Sequence, residues 1–106
     1  MDSRKGGNYS EEDIELARLA RALGNPARIA ILRHLALSGS NYFNEITKHL
    51  PIADSTVSQH LAELRDADLI RGTPEPPRTR YSINRKNWKR ARVIMNTLLS
   101  IKTAKG

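Results

Sequence analysis

The chain has 106 residues, 39% of them hydrophobic and 27% charged, which gives room and composition for one globular domain with a modest core. Cysteine is absent, so disulfides, thiolate catalysis and thiolate metal sites are excluded, and no apolar run approaches the ~20 residues that cross a bilayer. The net charge of +7, from 18 Lys and Arg against 11 Asp and Glu, suggests a polyanionic partner such as nucleic acid.

Residues 1–9 read as a flexible lead-in, since Gly6, Gly7 and Asn8 carry no apolar periodicity, and residues 10–106 read as a single domain. Arg4 and Lys5 have no apolar segment behind them, so no signal peptide is expected and the expected compartment is the cytoplasm. Ser10 with Glu11, Glu12 and Asp13 resembles a capping box at the positive end of a helix. Leu16, Leu19, Ala20 and Leu23 follow at helical spacing up to Gly24. Asn25 and Pro26 restart a helix as cap and first residue, with Ile29, Leu32, Leu35 and Ala36 as its buried face and Ile31 widening it. Ser38 to Asn41 break the pattern. A short third helix is predicted from Phe43 to about Leu50, with Phe43, Ile46 and Leu50 inward and Pro51 closing it. Asp54 and Ser55 cap a fourth helix near residues 55–67, whose core stripe is Val57, Leu61 and Leu64.

The period then changes. Leu69 to Thr73 reads as a strand, Pro74-Glu75-Pro76-Pro77 as a turn, and Thr79 to Ile83 as a returning strand, with the prolines fixing the hairpin tip. Asn84 caps a last helix from about Arg85 to Thr103, lined on one side by Trp88, Ala91, Met95, Leu98 and Lys102, with Leu99 and Ile101 adding apolar area. The predicted fold is mostly helical, four helices followed by a β-hairpin and a fifth helix.

The third and fourth helices with Pro51 to Asp54 between them form a helix-turn-helix, whose second helix can enter the major groove of double-stranded DNA. At ~100° per residue from Val57, Ser55, Gln59, Ala62 and Asp66 lie opposite the core stripe, Thr56 and Ser58 flank them, and His60 sits at the stripe's edge. Short hydroxyls and amides suit base edges, and Gln can pair bidentately with adenine. His60 is placed to reach a phosphate. The hairpin that follows is basic, and Arg78 and Arg80 are positioned for backbone or minor-groove contact. Residues 74–106 hold nine basic side chains and one acidic, so the positive field is concentrated there. A solvated polar helix face and simple solubility explain these residues singly, but not their succession of turn, polar helix and basic proline-tipped wing.

Three stretches resemble the ArsR/SmtB repressors. Ala22 to Leu32 is similar to that family's opening motif. Ser55-Thr56-Val57-Ser58-Gln59-His60-Leu61-Ala62-Glu63-Leu64-Arg65-Asp66-Ala67-Asp68-Leu69-Ile70 resembles its recognition helix, and Arg78 to Ile83 its outgoing wing strand. The likeness spans roughly residues 11–100. It departs at Asp68, where the family usually has Gly in a left-handed turn; Asp tolerates that conformation, so the turn is expected to survive. The resemblance implies a winged helix-turn-helix that represses transcription as a homodimer on a palindromic operator, joined through its first and last helices. Ile14, Ala17, Trp88, Met95, Leu98 and Leu99 are the dimerisation candidates.

The metal ligands many members carry, a Cys pair on the third helix or Asp and His on the last, are missing here. His34, His49 and His60 read as spread over three different helices rather than converging on a metal. No cofactor is expected, and no residue pattern names an inducing ligand. Phosphate loops, nucleophile elbows and carboxylate clusters are absent, and Ser58 and His60, two apart on a helix, do not face each other, so no enzyme activity is expected. The alternative reading is a winged helix used as a protein–protein interaction module, with Pro74 to Pro77 as its docking surface.

Overall fold

The structure, a computed structural model, describes residues 8–105, so residues 1–7 of the expected lead-in and Gly106 lie outside the described residues. Helix α1 spans Glu11–Leu23, and the Ser10 hydroxyl accepts from the Asp13 amide at 3.0 Å. That cap, with three carboxylates in the first turn, sets the helix start as the sequence predicts. Helix α2 spans Pro26–Ser38, capped by Asn25, whose side-chain oxygen accepts from the Ala27 amide at 2.8 Å. It stops at Gly39, whose φ of 89° lies in the left-handed region that favours glycine.

Strand β1, Ser40–Tyr42, follows, then helix α3, Phe43–Thr47, and helix α4, Asp54–Asp66. Helix α4 ends as the sequence suggests: Asp68 takes φ 60°, the Asp68 amide donates to the Arg65 carbonyl at 2.9 Å, and the Leu69 amide donates to the Leu64 carbonyl at 3.0 Å. Leu64 and Leu69 both lie in the core, which completes a Schellman stop without glycine. Strands β2, Ile70–Glu75, and β3, Arg78–Ile83, form the wing, and helix α5 spans Arg85–Leu99.

The core is made by Leu19 and Ala22 of α1, Ile31, Leu32 and Leu35 of α2, Ile46 of α3, Val57, Leu61 and Leu64 of α4, Leu69 and Ile70 at the wing's base, and Ile94 of α5. Each element contributes a narrow apolar stripe, and no polar or charged side chain among the described residues is buried with them.

Several expectations are corrected. The break at Ser40 to Tyr42 is a strand, which pairs antiparallel with β3 and makes a three-stranded sheet in the order β1-β3-β2. Pro74 belongs to β2 opposite Thr79 and the turn shrinks to Pro76-Pro77; β2 is an edge strand, where proline costs the sheet least. Helix α3 stops at Thr47 rather than Leu50, α4 is preceded by Ala53 with no side-chain cap, and α5 ends at Leu99 rather than Thr103. Ala20 and Ala36 are exposed, while Ala22 takes the buried place on α1 and Ile94 is the one buried residue of α5.

A candidate nucleic-acid interface on the recognition helix and wing

Helix α4 packs Val57, Leu61 and Leu64 inward, so its N-terminal turns turn outward with Ser55, Ser58 and Gln59 exposed and Thr56 half-buried. Among the described residues, none of these four side chains hydrogen-bonds to another part of the chain, which leaves their donors and acceptors to solvent or a ligand. His60 is half-buried beside them. The Arg28 guanidinium donates from Nε to His60 Nδ1 at 3.0 Å and reaches the Arg21 and Ala22 carbonyls at 3.3 and 3.4 Å. An imidazole accepting at Nδ1 is neutral and carries its proton on Nε2. Burial and then the Arg28 charge hold the His60 pKa below its ordinary value.

The outward face of the sheet carries a polar network that the sequence reading missed. Rows of paired residues put Tyr42 beside Arg80, with Glu75 and Arg78 opposite one another at the tip. Arg80 donates to both Glu75 carboxylate oxygens, at 2.7 and 3.1 Å, to Ser40 Oγ at 3.2 Å and to Tyr42 Oη. The Tyr42 hydroxyl donates in turn to Glu75 at 2.7 Å. Arg78 lies over the Tyr42 ring, its guanidinium carbon 3.8 Å from the centroid, with that of Arg80 at 4.5 Å. The Arg80 and Tyr42 hydrogen bonds pull Glu75 down to about 2. The signal in the sequence was the Tyr42-Phe43 pair after a Ser- and Gly-rich break; three residues are too few for an alternation to be seen.

The remaining candidates separate into two groups. Ile14, Ala17, Leu98 and Leu99 are exposed, with Ile14 at 46%, Leu98 at 50% and Leu99 at 74% of full exposure. Trp88 and Met95 are half-buried and pack against the core. A bidentate pair also missed, Arg90 to Glu15 at 2.9 and 2.8 Å, ties α5 to α1. The three histidines are not spread over three helices: His49 lies in the turn after α3, with its ring centroid 4.5 Å from that of His34. Among the described residues no three His, Cys, Asp or Glu side chains gather so as to hold a metal ion. No helix of the described residues is long and apolar enough to cross a membrane.

A short helix, a turn, a second helix with an exposed polar face and a basic hairpin define a winged helix-turn-helix of the DNA-binding class. Residues 25–71 match the profile described as bacterial regulatory protein, arsR family. The chain is 41% identical over 76 residues to the HTH-type transcriptional regulator CmtR of Mycobacterium tuberculosis (strain ATCC 25618 / H37Rv), a match covering 72% of this chain and 64% of that relative. It is 36% identical over 69 residues to the HTH-type transcriptional regulator YgaV of Escherichia coli (strain K12), covering 65% of this chain and 70% of that one. Its fold is similar to the homodimeric winged helix-turn-helix DNA-binding domain (fragment 1–100) of a possible ArsR-family transcriptional regulator from Mycobacterium bovis. The TM-score is 0.66 at 22% identity, covering 95% of this chain and 97% of that one. The chain belongs to the ArsR family of bacterial transcriptional regulators.

Proposed function

We propose that the chain is a sequence-specific repressor, a single-domain protein of the cytoplasm that binds a palindromic operator as a homodimer and has no enzymatic activity. The observation that carries this reading is the N-terminal face of α4, where Ser55, Thr56, Ser58 and Gln59 have no side-chain hydrogen-bond partner among the described residues and lie beside a cationic wing. In this reading the four side chains meet base edges or phosphates in the major groove. His60 donates its Nε2 proton to a phosphate, and Arg78 follows the backbone. Arg80 reaches a phosphate by exchanging Glu75 for it. Exposed Ile14, Leu98 and Leu99 support pairing of α1 and α5 with a second copy, which sets two recognition helices ~34–36 Å apart on one face of the duplex. A chain without cysteine and an α5 without His, Asp or Glu support release by something other than metal at the family's usual ligands.

The test is anisotropy titration of DNA from upstream of the protein's own gene against a scrambled duplex, at several salt concentrations. A preference of about 10³-fold or more for the upstream DNA is expected. Gln59→Ala is expected to lose about 1–3 kcal/mol on that DNA and little on the scramble. Equal, salt-labile binding to both duplexes, unchanged in Gln59→Ala, would favour the interaction-module reading instead.

A further inference from the structure

A second cationic site lies away from the recognition face. Between the C-terminal end of α2, the base of the wing and the first half of α5 is a cleft of about 580 Å³, within the size range of small-molecule sites. Arg71, Arg85, Lys86, Lys89 and Arg92 line it, no carboxylate does, and the Trp88 ring forms part of its wall. Arg85, Lys89 and Arg92 stand at i, i+4 and i+7, so they share one face of α5. The other face is treated differently: Arg90 is neutralised by Glu15. Among the described residues none of the five cleft cations has such a partner. Clustered like charges without a counter-charge repel one another, and an anion that joins them relieves that repulsion.

We propose that this cleft binds a small ligand bearing several phosphate groups. Arg85 and Arg92 are separated by about 10 Å of helix, at ~1.5 Å per residue, which suits a chain of anionic groups better than a single one. The planar guanidinium groups of Arg71, Arg85 and Arg92 grip phosphate oxygens in pairs, and the lysines add point charges. Trp88 supplies an apolar floor. The cleft is distinct from the proposed DNA contacts of the wing: Arg71 pairs with Ser82, four rows from the Glu75–Arg78 tip, which is roughly 13 Å by strand rise.

Trp88 is the only tryptophan in the chain and lines this cleft while also packing against the core, so its fluorescence is a single-site reporter whose response is assigned to the cleft by the cation variants. Tripolyphosphate titrated into the full chain is expected to give a saturable change that sodium chloride of equal ionic strength does not give. All five cations are exposed, so Arg85→Gln with Lys89→Gln leaves the core intact, and this double variant is expected to weaken tripolyphosphate binding at least tenfold. The same variant is expected to bind DNA with an unchanged salt dependence. No saturable change, or the same change with chloride, overturns the proposal. A DNA salt slope shallower by about two per protomer assigns these cations to the DNA backbone and overturns it equally.

Discussion

Glu75 holds the Arg80 guanidinium through two hydrogen bonds, one to each carboxylate oxygen, 2.7 and 3.1 Å long, while Tyr42 bonds to both partners. Arg80 is therefore already paired, and in the proposed DNA complex a phosphate would have to compete with a carboxylate in place. Glu75→Gln is expected to tighten DNA binding and to steepen the log–log salt dependence by up to about 0.9 per protomer, as one more cation meets a phosphate. Arg78→Ala, which removes a cation that makes no ion pair among the described residues, is expected to weaken binding more than Arg80→Ala. Equal effects of the two alanine variants would sink the competition argument.

The same pair titrates late. Glu75 sits at about 2, below its ordinary 4.5, so its contribution to wing stability is present above 4.5 and is lost as the pH falls through about 2. Carboxyl chemical shifts followed by NMR are expected to show Glu75 still ionised near pH 3, with Tyr42→Phe or Arg80→Ala moving its titration up towards 4.5.

The histidines work in the opposite part of the scale. His34, against His49 and within hydrogen-bond reach of Asn41 at 2.9 Å, is held below 6.5 by burial and then by the His49 charge, with Glu45 opposing. His60 is held below 6.5 by burial and then by Arg28, with Glu63 opposing. The unfolded chain therefore binds more protons than the native state once the pH drops below 6.5, so stability is full above that value and falls through the lowered native pKa values. The melting temperature is expected to be lower at about pH 5.5 than at about pH 7.5, and less so in His34→Gln with His60→Gln.

Asp68 occupies φ 60° at the end of α4, a conformation that glycine takes freely and alanine does not. Its carbonyl accepts from Asn87 Nδ2 at 3.0 Å, a bond that any residue there preserves. Asp68→Gly is expected to gain roughly 0.5 kcal/mol and Asp68→Ala to lose about 1 kcal/mol. Urea midpoints at constant slope measure both.

In the proposed dimer, association through α1 and α5 would put Leu98 and Leu99, both exposed in the single chain, against a second copy. Leu98→Glu with Leu99→Glu is expected to give a monomer by light scattering, with the helical signal retained because both residues lie outside the core. Trp88 and Met95 are poorer probes, since they pack against their own core and their loss confounds folding with assembly.

The helices were legible where caps and stripes agreed. Ser10 with its acidic turn and Asn25-Pro26 marked two starts, Val57, Leu61 and Leu64 gave the α4 stripe, and Asp68 marked its end. The exposed face of α4 followed from that stripe. Strand β1 was not legible, because its three residues are held by pairing with β3, a partner far along the chain. Without β1 the Tyr42 bridge between Arg78 and Arg80 was invisible, and both arginines looked equally free. Ile94 was hidden for a different reason: Trp88, Ala91, Met95 and Leu98 offered a complete stripe of their own, and only the docking of α5 on α1 decides which neighbour turns inward.

Pro74 has one more consequence. Strand β2, six residues long, is the longer of the sheet's two edges, and an open edge is a template on which another chain can add a strand. Proline removes a donor from that template beside the wing tip, and the charged Arg71 and Glu75 stand on either side of it. A hairpin left uncovered for a target is thereby kept from zipping onto the hairpin of another copy.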